Sequence, residues 1–373
     1  MRVLVLNAGS STLKASALDH VSRDPLFATT LDWGADATRS AGREAGLLRL
    51  LERLVVEGVP LGSIAVVGHR VVHGGTRFTA PTVVDEAVLD ELDAVARLAP
   101  LHNPVAVETI RAAITSLPGV PQVAAFDTAF HASLPPGAYR YPLPDRWVVD
   151  HGIRRYGFHG LSVAWSVARA GELLDTDGAA LGLVVAHLGS GCSVTAVEAG
   201  RSTWTSMGMT PLEGLMMGTR SGSVDPGVLL RLLHEGVGVD ELGDGLEHES
   251  GLLGVAGTAD MRELVQADAA GDERAGLALE LFVRRSAEAI AAAATSLARL
   301  DAVVFTGGIG EHAAPVRDGV VARLSNLRVV GPLAAMDADA ILTPAGRRPA
   351  VLVIEAREDL AIAEAARGAL GPA

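Results

Sequence analysis

The sequence predicts an α/β chain of two domains, and three observations point there. Its 373 residues exceed the size at which a single hydrophobic core keeps growing. Short apolar runs with strand patterning alternate with longer segments of helical spacing, the order of an α/β protein. A unit of four apolar residues, a polar residue, a Gly-Ser turn and a second strand occurs twice, at 3–17 and at 183–197. A repeat at nearly half the chain length indicates a duplicated, hairpin-opening domain, its two turns facing each other across a cleft. The expected boundaries are 1–130 plus 361–373 for the first domain and 131–360 for the second.

Taken in order, residues 2–6 read as a buried strand, 7–12 as a polar turn and 13–18 as the returning strand. A helix rich in Leu and Glu covers 43–57, and a strand at 64–67 leads through His69, Arg70, Val72 and His73 to Gly74-Gly75. Apolar residues at helical spacing predict a helix over 85–98, which Pro100-Leu101-His102-Asn103-Pro104 stops, and another over 105–116. A short strand at 123–126 ends at Asp127, and the Pro- and Tyr-rich 135–145 reads as an interdomain connection. Further on come helices over 278–299, a buried strand at 302–306 and a Gly-rich helix start at 307–311. A last strand at 351–354 and a last helix at 358–369 complete the pattern.

Charge and composition exclude several classes. Hydrophobic residues make up 49% and charged residues 20%, which fits a packed chain and not a disordered one. The formal charge is −13, from 31 basic and 44 acidic residues, with no block of like charge at either end; a general nucleic-acid binder needs the opposite sign. The most apolar stretch, 179–197, is broken by His187, Gly189, Ser190 and Gly191, short of the roughly 18 residues of a bilayer span. The apolar N-terminal stretch is too short for a signal peptide, so a cytoplasmic location is expected. The one cysteine, Cys192, can make neither an internal disulfide nor a cysteine metal site, and it reads as a small packed residue.

Three strands end in Gly/Ser turns, at 7–12, 187–191 and 306–310, and such turns present N–H groups and hydroxyls to an anion. Together they imply a polyphosphate ligand. None matches a P-loop, and Gly307 to Gly310 lacks the glycine order of a dinucleotide fold. The one lysine among the 31 basic residues, Lys14, sits beside the first turn, where it could reach phosphate. His69 and His73 lie in an extended segment, where four residues span roughly 13 Å and a shared zinc is out of reach. Arg70 alone reads as a surface salt bridge, and Arg220, in a loop of small residues, as a guanidinium brought close to something planar. His102 could cap a turn, His159 could be a satisfied core histidine and Glu311 a helix first-turn acid.

The motifs taken together resemble a known family. They are Asn7-Ala-Gly-Ser-Ser-x-x-Lys14, His69-Arg-Val-Val-His-Gly-Gly75, Leu98-Ala-Pro-Leu-His-Asn-Pro104, Phe126-Asp-Thr-Ala-Phe-His131, Arg155-Tyr-Gly-Phe-His-Gly160 and Ala186-His-Leu-Gly189. Thr205-Ser-Met-Gly-x-Thr-Pro-Leu-Glu-Gly214, Met217-Gly-Thr-Arg220 and Thr306-x-Gly-Ile-Gly-Glu311 follow in the same order. In that order, over nearly the whole chain, they are similar to the acetate kinases. The resemblance implies the superfamily of acetate and sugar kinases, Hsp70 and actin: two ribonuclease H-like domains around a nucleotide cleft, and transfer of the γ-phosphoryl group of ATP to a carboxylate.

By motif, the resemblance places magnesium, or manganese in its stead, at Asn7 and Glu358 and makes ATP and ADP the co-substrates. Arg70 and Arg220 match the substrate and transition-state arginines, Asp127 the catalytic aspartate and His159 the transition-state histidine. Val72, Leu101, Phe158 and Pro211 match the acyl pocket, and His102 and His187 the other active-site histidines. Nucleotide contacts fall on Lys14, His187, Gly189, Ser190, Gly191, Asp260, Met261, Arg262, Gly308, Ile309, Gly310, Glu311 and His312. The chain departs from the usual family residue at Ser190, His312, Leu161, Val163 and Ser223, and Ala-Arg-Glu-Asp-Leu360 replaces Thr-Asn-Glu-Glu-Leu. The implied protein is a homodimer that phosphorylates acetate by direct in-line transfer. The alternatives are a propionate or butyrate kinase, or a nucleotide-driven switch of the same fold.

Overall fold

The computed structural model describes residues 1–9, 12–33, 40–100, 102–331 and 339–371. They divide into two compact units. One comprises Met1–Ala132, Gly160–Trp165 and Arg357–Ala373, the other Ser133–His159 and Ser166–Ala356. Glu358 therefore belongs with the N-terminal strands and not with a second domain running through residue 360. The 135–145 segment lies inside the second unit and contains a short helix, Pro136–Tyr139.

The described residues of the first unit form one mixed sheet from β1 (Arg2–Ala8), β2 (Thr12–Leu18), β3 (Phe27–Asp32), β4 (Ile64–Val71), β5 (Thr82–Val83) and β6 (Gln122–Phe126), in the order β3-β2-β1-β4-β6-β5. Strands β1, β4 and β6 are parallel, the central hairpin strand β2 runs against them, and β3, antiparallel to β2, returns in the direction of β1. Val3 to Leu6 are at most 1% exposed, as expected of a strand covered on both faces. Leu4 and Leu6 enter a cluster with Trp33 and with Leu47, Leu50 and Leu54 of the helix Ser40–Val56. On the opposite side of β4, a Cβ at Gly68 would stand 2.7 Å from Ile362 Cγ2. The missing side chain lets the helix Glu358–Ala369 close on the sheet.

The second unit repeats this order. Its strands are β7 (Leu183–Leu188), β8 (Cys192–Glu198), β9 (Arg201–Thr205), β10 (Ala302–Thr306), β11 (Ala340–Ile341) and β12 (Ala350–Val353), arranged β11-β12-β10-β7-β8-β9. Read from the hairpin side, β9-β8-β7-β10-β12 matches β3-β2-β1-β4-β6 strand for strand, so the duplication seen in sequence is a duplication of sheet topology. The helix predicted over 278–299 is one helix, Glu273–Ala294, capped by Asp272. Pro104 opens the helix Asn103–Ser116 within its first turn instead of standing before it, because a proline there loses no intrahelical hydrogen bond.

Candidate active site

In the first unit four polar residues meet at the C-terminal ends of adjacent parallel strands, where open α/β sheets gather their ligands. Asn7 is near the end of β1, Arg70 near the end of β4 and Asp127 directly after β6, while Glu358 begins the last helix. Register brings them together, since Leu6 pairs with His69 and Val71 with Phe126. Arg70 grips Asp127 with both arms of its fork, Nε to Oδ1 at 3.0 Å and Nη2 to Oδ2 at 2.6 Å. Its Nη1 reaches Asn7 Oδ1 at 3.4 Å, its Nε lies 3.6 Å from Glu358 Oε2, and Asn7 Nδ2 lies 3.3 Å from the same oxygen.

This is not the surface salt bridge that Arg70 alone suggests: the Asp127 side chain is 1% exposed and that of Arg70 22%. Burial pushes the Asp127 carboxyl up to about 6, against the pull of Arg70 and with the help of Glu358. Burial opposes the charge on Arg70 as well, but the attraction of Asp127 and Glu358 prevails and holds it protonated. One guanidinium between two carboxylates leaves one negative charge in a cluster where Asn7 turns its amide nitrogen to Glu358 and its oxygen to Arg70. Amide and carboxylate oxygens are the hard donors that suit Mg2+, which keeps its waters and phosphate ligands and needs only one or two protein groups. The pair Asn7 and Glu358 fits that ion, and among the described residues no group of three His, Cys, Asp or Glu offers a closed metal cage.

The segment after β4 is clamped by buried polar side chains. Asn103 Oδ1 accepts from His73 N at 3.1 Å, its Nδ2 donates to His73 O at 2.8 Å, and Thr128 Oγ1 accepts from Gly74 N at 3.0 Å. These bonds fix half-buried Val72, two residues beyond Arg70. His102 stands at the N-cap of the helix Asn103–Ser116, and its side chain makes no capping hydrogen bond. Lys14 pairs in register with Asn7 and is exposed. His69 is buried against Gln122, 2.8 Å from Nε2 to Oε1; burial lowers its pKa to about 4. Leu101 lies outside the described residues.

In the second unit the corresponding strand ends carry His187, the Gly189 to Gly191 turn and the glycines after β10. His159 adopts left-handed backbone angles, φ 58° and ψ 23°, a conformation uncommon outside glycine and one that aims the ring as part of the site. Its ring stacks on His187 with centroids 4.2 Å apart, and its Nδ1 lies 3.0 Å from Ser193 Oγ. A Cβ on Gly191 would stand 3.4 Å from His159 Nε2 and 3.7 Å from Arg220 Nη2. The imidazole and the guanidinium therefore face one small space that a missing side chain leaves open.

Arg220 is held by donation from Nη1 to Pro211 O at 2.9 Å, with Glu247 Oε2 3.7 Å from Nε. The loop bearing Pro211 is in turn clamped by Tyr141 and Arg155, both bonded to the Glu213 carboxylate. Phe158 is buried. Gly189 N donates to Gly191 O at 3.0 Å, and Ser190, whose side chain is exposed, anchors Gly218 N through its carbonyl at 3.1 Å. Ser223 Oγ accepts from Gly214 N at 3.1 Å. Cys192 is buried, which pushes its thiol up to about 12, so it is the inert packed residue that the sequence indicates.

The residues that the resemblance assigns to the nucleotide are more dispersed. Asp260 caps the helix Met261–Ala269 and pairs with exposed Arg262 at 2.9 Å, while Met261 is buried. Gly307, at φ 77°, turns the chain from β10 into a short helix, Gly307–His312, with Gly308 exposed and Ile309 half-buried. Gly310 is buried, and a Cβ on it would lie 3.5 Å from the Phe305 carbonyl carbon. Glu311 is the fifth residue of that helix and not a first-turn acid. Its Oε1 accepts from Ala356 N at 3.0 Å, and burial raises its pKa. His312 is largely exposed. Sequence reasoning missed Ser193, although the hairpin repeat contains the signal: a turn centred on Ser190 pairs residue 193 with His187.

A duplicated ribonuclease H-like α/β fold, with an arginine–carboxylate cluster on one sheet and glycine turns beside a second arginine on the other, defines a phosphotransferase. The chain belongs to the acetokinase family, whose sequence profile it matches over residues 2–364. It is 45% identical to an acetate kinase of Deinococcus radiodurans over 97% of this chain and 96% of that protein. Among solved structures it resembles an acetate kinase of Porphyromonas gingivalis, at 33% identity and a TM-score of 0.91 over 99% of both chains. It also resembles a propionate kinase of Francisella tularensis, at 36% identity and a TM-score of 0.87 over 98% of both chains.

Proposed function

We propose that this protein transfers the γ-phosphoryl group of ATP reversibly to acetate, giving acetyl phosphate and ADP by direct in-line transfer. The observation that supports it best is the convergence of His159 and Arg220 on the side-chain-free space at Gly191. A donor and a fixed cation aimed at one point suit the equatorial oxygens of a transferring phosphoryl group. The similarity to acetate kinases over the full length supports the acid.

A carboxylate is already nucleophilic at neutral pH, so no general base is required. The obstacle is the approach of two anions, and catalysis is positioning and charge neutralisation. In the first unit Arg70 takes the acid: its long contact to Asn7 Oδ1, 3.4 Å, is one a substrate carboxylate can replace, and Asp127 holds the rest of the fork still. In the second unit Arg220 and His159 hold the transferring group, and the 187–191 turn and the 307–312 segment contact the nucleotide. Asn7 and Glu358 would hold Mg2+, which when bound neutralises phosphate charge. A homodimer, which the family resemblance implies, and a cytoplasmic location belong to the same proposal. Among the described residues no helix is long and apolar enough to cross a membrane.

The test is kcat/KM for acetate, propionate and butyrate in an ADP-release assay. Acetate is expected to be highest. Propionate ahead of acetate would favour the second reading, a propionate kinase, to which the Francisella structure lends support.

Three further outcomes follow from single groups. Val72 lies two positions from Arg70 and bounds the methyl end of a short acid. Filling such a space with one methylene is worth roughly 1 to 3 kcal/mol, so Val72→Ala should shift the ratio of specificity constants toward propionate by about 10-fold or more. Unmoved ratios would remove Val72 from the pocket. Ser190 is shorter than the family's amide and offers fewer donors and acceptors; Ser190→Asn should lower the apparent KM for ATP by about 3- to 10-fold, and an unchanged KM would show compensation elsewhere. The Asp127 carboxyl, raised to about 6, loses its hold on both arms of Arg70 when protonated. The free enzyme's kcat/KM for acetate should therefore fall as pH drops through about 6; a flat profile down to pH about 5, a full unit below that value, would contradict this.

A further inference from the structure

His159 is held by two residues that face each other across one ladder of the second sheet. On the antiparallel pair β7 and β8, His187 and Ser193 are register partners, so their side chains leave the same face as nearest cross-strand neighbours. The His187 ring lies on the His159 ring, 4.2 Å between centroids and 23° from parallel. Ser193, 1% exposed, brings its hydroxyl to 3.0 Å from His159 Nδ1. The opposite edge of the imidazole, Cε1 and Nε2, borders Gly191.

Which nitrogen of a neutral imidazole bears the proton is set by the hydrogen bond the other one makes. Were the proton on Nδ1, Nδ1 would donate to Ser193 Oγ, and Nε2 would present a lone pair to phosphoryl oxygens that need a donor. With the serine hydroxyl donating to Nδ1, the ring proton sits on Nε2 and points at the space beside Gly191. His187 stacks on His159, and the guanidinium of Arg220 stands on the far side of Gly191. A neutral ring with its Nε2–H turned toward that space adds a donor beside the fixed cation.

We propose that Ser193 is a positioning residue that donates its hydroxyl proton to His159 Nδ1, holding the neutral imidazole in the Nε2–H tautomer with its donor aimed at the transferring phosphoryl group. The proposal rests on the reading of His159 given above. It makes Ser193 a determinant of turnover although the serine touches neither substrate.

The test uses the full chain with its eleven histidines labelled with nitrogen-15, the His159 signals being identified by their loss in His159→Gln. At pH 8 the wild type should show Nδ1 unprotonated and Nε2 protonated. Ser193→Ala should shift both nitrogens toward a tautomer mixture, and Ser193→Thr, which keeps the hydroxyl, should restore the wild-type pattern. In parallel, kcat of Ser193→Ala at pH 8 should fall by about 10- to 100-fold, the range for losing a partner that orients a histidine, with little change in either KM. Ser193→Thr should recover most of that turnover. A wild-type His159 protonated at Nδ1, or nitrogen shifts that Ser193→Ala leaves unchanged, overturns the proposal. Wild-type turnover in His159→Gln would instead remove the phosphoryl role, and the nitrogen shifts report the tautomer independently of it.

Discussion

Arg220→Ala is expected to lower turnover by about 10³-fold or more while leaving the KM for ATP within a few-fold, the scale of removing one preorganised charge donor. The guanidinium is fixed before any ligand arrives: Nη1 is bonded to Pro211 O at 2.9 Å and Nε lies 3.7 Å from Glu247, which leaves Nη2 directed at Gly191. The loop can bring it there because Gly214 and Gly222 adopt φ of 115° and 69°, angles that a side chain rarely permits. A Cβ at Gly222 would also stand 2.3 Å from Leu215 O. Arg220→Lys should recover little, since an ammonium cannot reproduce a planar fork held at one arm and presented at the other. Steady-state kinetics with a nucleotide-binding titration decides, and turnover within a few-fold of wild type would remove Arg220 from the mechanism.

Gly191→Ala should be nearly as damaging, with turnover down by about 10²-fold or more, although it removes no functional group. Gly191 is not among the residues at positive φ, and the nearest atoms to an added Cβ are His159 at 3.4 Å and Arg220 at 3.7 Å. These are ordinary contact distances, so the variant should fold with an unchanged melting temperature. The methyl would then fill the space the two donors share, where phosphoryl oxygens are to sit. Near-normal turnover in a folded Gly191→Ala protein would mean that His159 and Arg220 act at separate places.

Local patterns were the legible part of this chain. The repeat at 3–17 and 183–197 was visible because both hairpins alternate buried strands with Gly/Ser turns, and it is borne out by the matching strand orders of the two sheets. The helix Glu358–Ala369 was legible from its acidic first turn and apolar spacing. By contrast β3 and β9 escaped notice, since Phe27–Asp32 and Arg201–Thr205 are half-exposed and mix small, polar and aromatic residues. The helix Pro226–His234 buries none of its residues, so its periodicity reports no core. The Arg70–Asp127 pair joins residues 57 apart in sequence and exists only because β4 and β6 are register neighbours. No local pattern distinguishes such a buried pair from a surface one. Ser193 lies between these cases: hairpin register alone sets it opposite His187, but its bond to His159 depends on how that residue's left-handed backbone aims the ring.

The central claim is that this chain phosphorylates a small carboxylate, and trapping the acyl phosphate tests it most directly. Purified protein with ATP, Mg2+ and acetate in neutral hydroxylamine should accumulate acetyl hydroxamate in step with ADP, at a rate that depends on acetate. Arg70→Ala and Arg220→Ala should each abolish that signal. ATP hydrolysis without hydroxamate, or ADP release indifferent to acetate, would contradict the account and leave a nucleotide switch built on the same fold.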